Sequence, residues 1–236
     1  VSLAACLSKR PARADLGRPR LSIDRVFTIG GFGTVVTGTL VDGCLKVGEE
    51  ISILPRGVRA RIRGLQTHKT KLKTTMPGSR VAINIAGVEA GTLRRGDVVS
   101  KPGTLRSTKL IDVHYRHLHE KHGTHPLRHN AHVKVFIGAA QVMARVRLLS
   151  HKQLPPSGVG WLQLDLSDPV VTAKGDHLIL RRPSPAATIG GGKVVDPHPL
   201  RRWRLHDQRV LSLLETNARG TPGEILLQDI DATGPG

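Results

Sequence analysis

Apolar and polar side chains begin to alternate at Arg20 and keep doing so for most of the chain. Leu21, Ile23, Arg25, Phe27 and Ile29 share one register of a two-residue repeat, mostly apolar. That is the period of a β-strand with one face on a core. The run 34–41 follows, rich in β-branched residues that suit a pleated surface. Further strand-like runs cover 50–54, 58–66, 80–86 and 97–100. Turn formers separate them at Asp42-Gly43, Val47-Gly48, Pro55, Pro77-Gly78, Gly91 and Gly96-Asp97. Short strands at this density predict a small barrel over 19–103, ended by Lys101-Pro102-Gly103.

A second set of runs covers 107–115, 131–137, 141–149, 160–166 and 176–182. Val133, Val135 and Ile137 alternate with His132, Lys134 and Phe136, and Leu162, Leu164 and Leu166 alternate with Trp161, Gln163 and Asp165. This half-buried antiparallel pattern predicts a second barrel over 104–183. The two sets close on similar strings, Arg95-Gly96-Asp97 and Lys174-Gly175-Asp176, which suggests a related design. Residues 184–202 read as a connector, with Gly190-Gly191-Gly192 as a close-packing turn. Beyond it Trp203, Leu205, Val210, Leu211 and Leu214 take helical spacing, and Asn217 and Gly220 supply stops. Thr221, Pro222 and Glu224 predict the N-cap, first turn and capping box of another helix. The expected fold is therefore all-β: two consecutive small antiparallel β-barrels, then the helical start of a third unit over 203–236. Residues 1–18 are expected to be the tail of a preceding domain and its linker. The opening VSLAACLSKR has no initiator Met or leader pattern, and with the ending DIDATGPG it suggests a piece of a longer protein.

Charge changes the picture more than composition does. Lys and Arg number 36 against 18 Asp and Glu, a formal net charge of +18. Such an excess steers a protein toward polyanions, nucleic acid first. No stretch approaches the ~20 apolar residues of a membrane span, and no membrane partner is expected. Two cysteines, Cys6 and Cys44, form no disulfide framework and fit a reducing compartment. Between Glu50 and Glu89 there is no acid, but Arg56, Arg59, Arg61, Arg63, Lys69, Lys71 and Lys73 all lie there. Arg59, Arg61 and Arg63 share one strand face, which with a lysine loop suits contact with RNA phosphates. The alternative is an edge strand carrying charge against aggregation. Aromatics are few, so recognition of folded RNA by backbone and shape fits better than base stacking.

Three motifs invite catalytic or ligand readings. Gly33-Thr34-Val35-Val36-Thr37-Gly38 has the glycine spacing of a phosphate loop, yet Thr39 and Leu40 stand where lysine and Ser or Thr are needed. Its β-branched residues favour a hairpin, with Gly30-Gly31 or Gly33 supplying positive φ. Residues 114–132 hold seven histidines at irregular spacing with no cysteine nearby, and no metal site is assigned to them. A metal-dependent enzyme on this tract is the alternative from a different class. No Ser-His-Asp or Cys-His order is legible, and no catalytic residue is assigned.

The stretch from Arg18, RPRLSIDRVFTIGGFGTVVTGTLVDGCLKVGEEISILP, resembles the second domain of translational GTPases of the elongation factor Tu type. LSIDRVFTI, GSRVAINIAG (78–87) and TIGGGKVVDPHP (188–199) are similar to the selenocysteine-specific elongation factors of bacteria. The resemblance covers about residues 15–215. It implies a GTPase domain ahead of two β-barrels, and winged helices after them that bind a hairpin in the selenoprotein messenger. No GxxxxGK[ST] or NKxD occurs here, so no cofactor is assigned to these residues; GTP and Mg²⁺ belong to the family's GTPase domain. The resemblance further implies selenocysteinyl-tRNA and the ribosome as partners and the cytoplasm as location. It places an aminoacyl pocket on the first barrel, formed by Asp24, Arg25 and Arg80. Two arginines there would favour an anionic selenolate over a neutral seryl group. A general elongation factor delivering ordinary aminoacyl-tRNA is the nearer alternative.

Overall fold

The computed structural model describes residues 15–119 and 125–220. The chain divides into two units between Ser107 and Thr108, a few residues beyond the expected boundary. The first fourteen residues of the expected tail over 1–18, and the helix expected from Thr221, lie outside the described residues.

In the first unit the alternating runs become β1 (Arg20–Ile29), β2 (Gly33–Val41), β3 (Glu50–Leu54), β4 (Val58–Thr67), β5 (Thr70–Leu72), β6 (Arg80–Ala86) and β7 (Val98–Ser100). They pair antiparallel in the order β3-β7-β1-β2-β6-β4, and β4 returns to β3, closing a six-stranded barrel. The alternation decides what fills it: Leu21 and Ile23 of β1 and Val81, Ile83 and Ile85 of β6 are all but inaccessible. The short β5 folds back on β4 through His68 and Lys69, both at positive φ (45° and 67°), between the paired Thr67 and Thr70. That is the backbone of a two-residue hairpin turn whose twist matches its strands.

The second unit contains β8 (Thr108–His117), β9 (Leu127–Arg128), β10 (His132–Ile137), β11 (Ala140–Leu148), β12 (Gln153–Leu154), β13 (Val159–Val170), β14 (His177–Arg182) and β15 (Ala187–Asp196). Six of them close a barrel in the order β10-β11-β13-β8-β15-β14. The echo between the two units is real at atomic level. Asp97 accepts a hydrogen bond from the Arg94 amide at 2.8 Å, and Asp176 accepts one from the Ala173 amide at 2.9 Å. The preceding glycines, Gly96 and Gly175, sit at φ 96° and 90° and donate to the carbonyls of Ile23 and Val194.

Residues 184–202 are not the connector that the sequence suggests. Ala187–Asp196 is β15, the strand between β14 and β8 that completes the second barrel. The three glycines are close-packing residues, as expected, but in a strand and not a turn. A Cβ on Gly190 would land on the Tyr115 hydroxyl and the Arg116 carbonyl, and one on Gly192 on the His114 carbonyl. Glycine in a strand interior marks such a close backbone approach. The helix also starts later than its apolar spacing suggests. It is α1 (Gln208–Arg219), capped by Asp207, whose carboxylate accepts from the amides of Arg209 and Val210. It runs through Asn217 and stops at Gly220. Val210 and Leu214 of α1 pack with Leu149, Val195 and Trp203 in a small core separate from the barrel interior.

Candidate functional site

An irregularity in β1 creates the cluster that the sequence singled out. Ile23 pairs with Gly38 and Arg25 with Thr37, which leaves Asp24 as an extra residue. Ile23 is buried and Val26 packs against the same core, so both Asp24 and Arg25 lie on the outer side. A regular strand would have sent them to opposite faces. The bulge re-aims a side chain, as bulges commonly do beside functional sites.

On the neighbouring strands, Thr37 of β2 and Arg80 at the start of β6 reach the same place. Both guanidinium NH₂ groups of Arg80 donate to Asp24, Nη1 to Oδ2 and Nη2 to Oδ1, the second at 3.0 Å. Thr37 Oγ1 donates to Asp24 Oδ1 at 2.7 Å and lies 3.4 Å from Arg80 Nη2. Partial burial works to raise the pKa of Asp24. Hydrogen bonds from Arg80 and Thr37, and the charges of Arg80 and Arg25, outweigh it and hold the carboxyl below its ordinary value. Arg25 is exposed and has no ion-pair partner among the described residues. The structure thus brings Asp24, Arg25 and Arg80 together, with Arg80 neutralised by Asp24 and one positive charge left over. Thr37, which sequence reasoning passed over, belongs to the cluster. Its only signal was an outward place in the alternation of β2.

The seven basic positions separate into three environments. Arg56 is engaged elsewhere: its Nε donates to the buried Asp97 at 2.6 Å, so it braces the turn before β7. Arg59, Arg61 and Arg63 are exposed on β4, and Arg59 makes only a 3.4 Å pair with the exposed Glu50. Arg63 is outward by the same alternation, and a second bulge, at Arg63 between Ile62 and Gly64, turns Leu65 into the core after it. Arg63 lines an open cleft of about 400 Å³ with Thr28, Ile85 and Val88, at the opposite end of β6 from Arg80. Lys69, Lys71 and Lys73 are exposed on and after the β4–β5 hairpin. That hairpin adjoins the Asp24 cluster, since Thr67 Oγ1 donates to the Arg80 carbonyl at 2.7 Å. β4 is not an edge: it pairs with both β3 and β6.

Three of the histidines in residues 114–132 take separate structural roles. The His114 ring packs at a tilt of 47° against Trp161, with ring centroids 4.7 Å apart. His117 is buried, and its Nε2 lies 2.9 Å from the His125 carbonyl. That carbonyl can only accept, so Nε2 donates to it, and Nδ1 lies 2.9 Å from the Tyr115 hydroxyl. His129 Nδ1 takes the Leu148 amide. Among the described residues no group of three or more His, Cys, Asp or Glu is placed to hold a metal ion. The phosphate-loop spacing resolves into the β1–β2 hairpin, with Gly31 and Gly33 at positive φ (77° and 85°). Gly38 lies inside β2, where a Cβ would strike the Ser22 carbonyl.

Two consecutive antiparallel barrels with this topology define the class, the barrel domains of translational elongation factors. Residues 33–100 match the family model described as elongation factor Tu domain 2, and residues 114–201 match that of the selenocysteine-specific elongation factor, beta-barrel domain. The chain is 37% identical over 224 residues to a selenocysteine-specific elongation factor of Desulfomicrobium baculatum, covering 95% of this chain and 34% of the relative. Its counterpart in Haemophilus influenzae is 32% identical over 199 residues, 84% of this chain and 31% of the relative. An elongation factor 1-alpha of Pyrobaculum aerophilum is 38% identical over 96 residues, 40% of this chain. The chain belongs to the selenocysteine-specific elongation factor family. It spans about a third of the length of the relatives named from that family.

Proposed function

We propose that these barrels hold selenocysteinyl-tRNA during translation elongation, with the aminoacyl group at the cluster of Asp24, Arg25 and Arg80. The observation that carries the reading is the bulge in β1, which leaves Arg25 uncompensated beside an Arg80 fixed by Asp24 and Thr37. A selenol is more acidic than a thiol, so the selenocysteine side chain is largely an anion at neutral pH. A seryl group on the same tRNA is neutral. A hydrogen bond to a charged group contributes about 1.5–3 kcal/mol, and the exposure of Arg25 puts the effect at the lower end. That corresponds to a preference of about tenfold. The basic hairpin and the arginines of β4 supply the sequence-independent contact with tRNA phosphates. In the whole protein, a GTPase domain with GTP and Mg²⁺ would set the affinity for tRNA. The ribosome would be the site of delivery, winged helices would bind the messenger hairpin, and the cytoplasm would be the location.

The test is binding of selenocysteinyl-tRNA and seryl-tRNA to the Arg25→Ala and Arg25→Lys proteins. Arg25→Ala should lose most of the preference while still binding tRNA, and Arg25→Lys should keep part of it. Lowering the pH enough to protonate the selenol should reduce the preference of the unaltered protein. A preference untouched by Arg25→Ala and by Arg80→Glu would remove the assignment and leave a body that binds aminoacyl-tRNA without regard to selenium.

A further inference from the structure

Between β15 and α1 the chain runs Leu200-Arg201-Arg202-Trp203-Arg204, three arginines within four residues. Loose in solvent, such a run would be a hydrated, mobile charge. This one is tied to the outer surface of the second barrel at four points. Gln163 Nε2 donates to the Arg201 carbonyl at 3.0 Å, and Gln163 Oε1 accepts from the Trp203 amide at 3.0 Å. Trp203 Nε1 donates to the buried Asp112 at 2.6 Å, and Arg147 Nη2 donates to the Trp203 carbonyl at 3.1 Å. Trp203 is itself buried beside Leu149, Val195 and α1. With the indole fixed inward, Arg201, Arg202 and Arg204 are exposed around an open cleft of about 380 Å³.

The nearby carboxylates offset only part of this charge. Asp165 is shared by Arg202 at 2.8 Å and Arg145 at 3.4 Å. Asp207 accepts the first amides of α1 through Oδ1 and lines the same cleft, so its charge offsets one arginine and leaves the patch positive. Neither Arg201 nor Arg204 has an ion-pair partner among the described residues. Arg147 spends its Nη2 on a carbonyl, and its buried Nε has no partner. The Arg201 guanidinium lies over the Trp203 ring, 5.6 Å from its centroid, which restrains its orientation. The result is a positive patch whose ordering cost is met by the fold before any ligand arrives.

We propose that this strap is a phosphate-contact site for double-stranded RNA, separate from the charged cluster on the first barrel. Guanidinium groups match phosphate oxygens in a two-pronged geometry. The one aromatic residue in the strap is turned into the protein, so no ring is offered to an unpaired base. That favours backbone contact with a duplex over capture of a single strand. The site does not depend on selenocysteine recognition and has its own readout.

The experiment measures binding of the chain to an RNA duplex of about 16 base pairs, the span of a typical duplex-binding domain, across a salt series. R201A/R204A should weaken binding about tenfold at low salt and reduce the slope of log K against log[salt] by about two. R201K/R204K should keep most of the slope. Both residues are exposed, so the thermal midpoint should not move; if it does, the single variant R204A, read by slope alone, should lose about one. An unchanged slope in a folded variant overturns the proposal. So does equally tight binding of poly-glutamate that is lost in the same variant, which would assign the strap to an acidic protein surface. The preference for selenocysteinyl- over seryl-tRNA should be unaffected by R201A/R204A, so either reading can fail without the other.

Discussion

Asp24 is kept ionised by its neighbours, and this gives the cluster a property that can be measured. Partial burial pulls its pKa upward, while Arg80, Thr37 and Arg25 pull it below the ordinary 3.8. A carboxyl depressed in the folded state stabilises the fold above its unfolded pKa and loses that contribution as pH falls through the folded one. Arg80→Ala removes both hydrogen bonds from the guanidinium and leaves burial less opposed. In a carboxyl titration followed by NMR, Asp24 of the unaltered protein should have its midpoint below 3.8, and Arg80→Ala should raise it. Equal midpoints in the two proteins would show that Arg80 is not what holds the charge. Asp24, Arg25 and Arg80 were accessible from the sequence because each sits in a string that resembles a family. Thr37 was not, because only the bulge and the cross-strand register bring it to Asp24, and neither is written in local sequence. The same limit applies to Arg56, whose engagement with Asp97 spans 41 positions.

At the level of elements, one of the four ties between the second barrel and the segment before α1 runs to a buried acid, Asp112. Burial, with the nearby Asp196 adding to it, pushes Asp112 up to about 7 against the opposing hydrogen bonds from Trp203 and Gln163. Its folded pKa is raised, so its contribution to stability is full below the unfolded value and is lost as pH rises through about 7. A shift of this size corresponds to a few kcal/mol, on the order of 1.4 for each pH unit crossed. His114 works the other way: burial lowers its pKa, so its contribution is lost as pH falls. The difference between Asp112→Asn and the unaltered protein isolates the acid. Denaturant titrations followed by tryptophan fluorescence should show the unaltered protein losing stability from pH 5 to pH 8 relative to the variant. Parallel profiles would mean that Asp112 keeps an ordinary pKa in its buried place. This junction also explains where the sequence misled. Trp203 and Leu205 have helical spacing, but Trp203 is held by Asp112 from 91 positions away and precedes the helix. β15 was illegible because three consecutive glycines interrupt its alternation, and their strand role depends on the surface of β8. Strands with unbroken alternation, such as β6 and β10, were legible because two-residue periodicity has one common physical cause.

Across the whole molecule, +18 is too large a charge to be carried by bracing pairs such as Arg56 with Asp97 or Arg20 with Asp42. Among its exposed groups, three sets are consecutive or share a face: the arginines of β4, the lysines of the β4–β5 hairpin and the strap before α1. For β4, protection of an edge is no explanation, because the strand is paired on both sides. Its outward arginines are then free to serve a polyanion, and the two kinds of arginine can be told apart. R59A/R61A/R63A should lower the salt slope of tRNA binding by about three, with little change in the thermal midpoint, because surface positions without close partners carry little stability. Arg56→Ala should do the reverse. It leaves the Asp97 carboxylate buried and short of a partner, which costs about 1–3 kcal/mol, while the salt slope stays near that of the unaltered protein. Calorimetry and a salt series on the same preparations read both quantities. If the triple variant kept its slope and Arg56→Ala lost one, tRNA phosphates would lie against the turn before β7, and the outward face of β4 would be solvated surface.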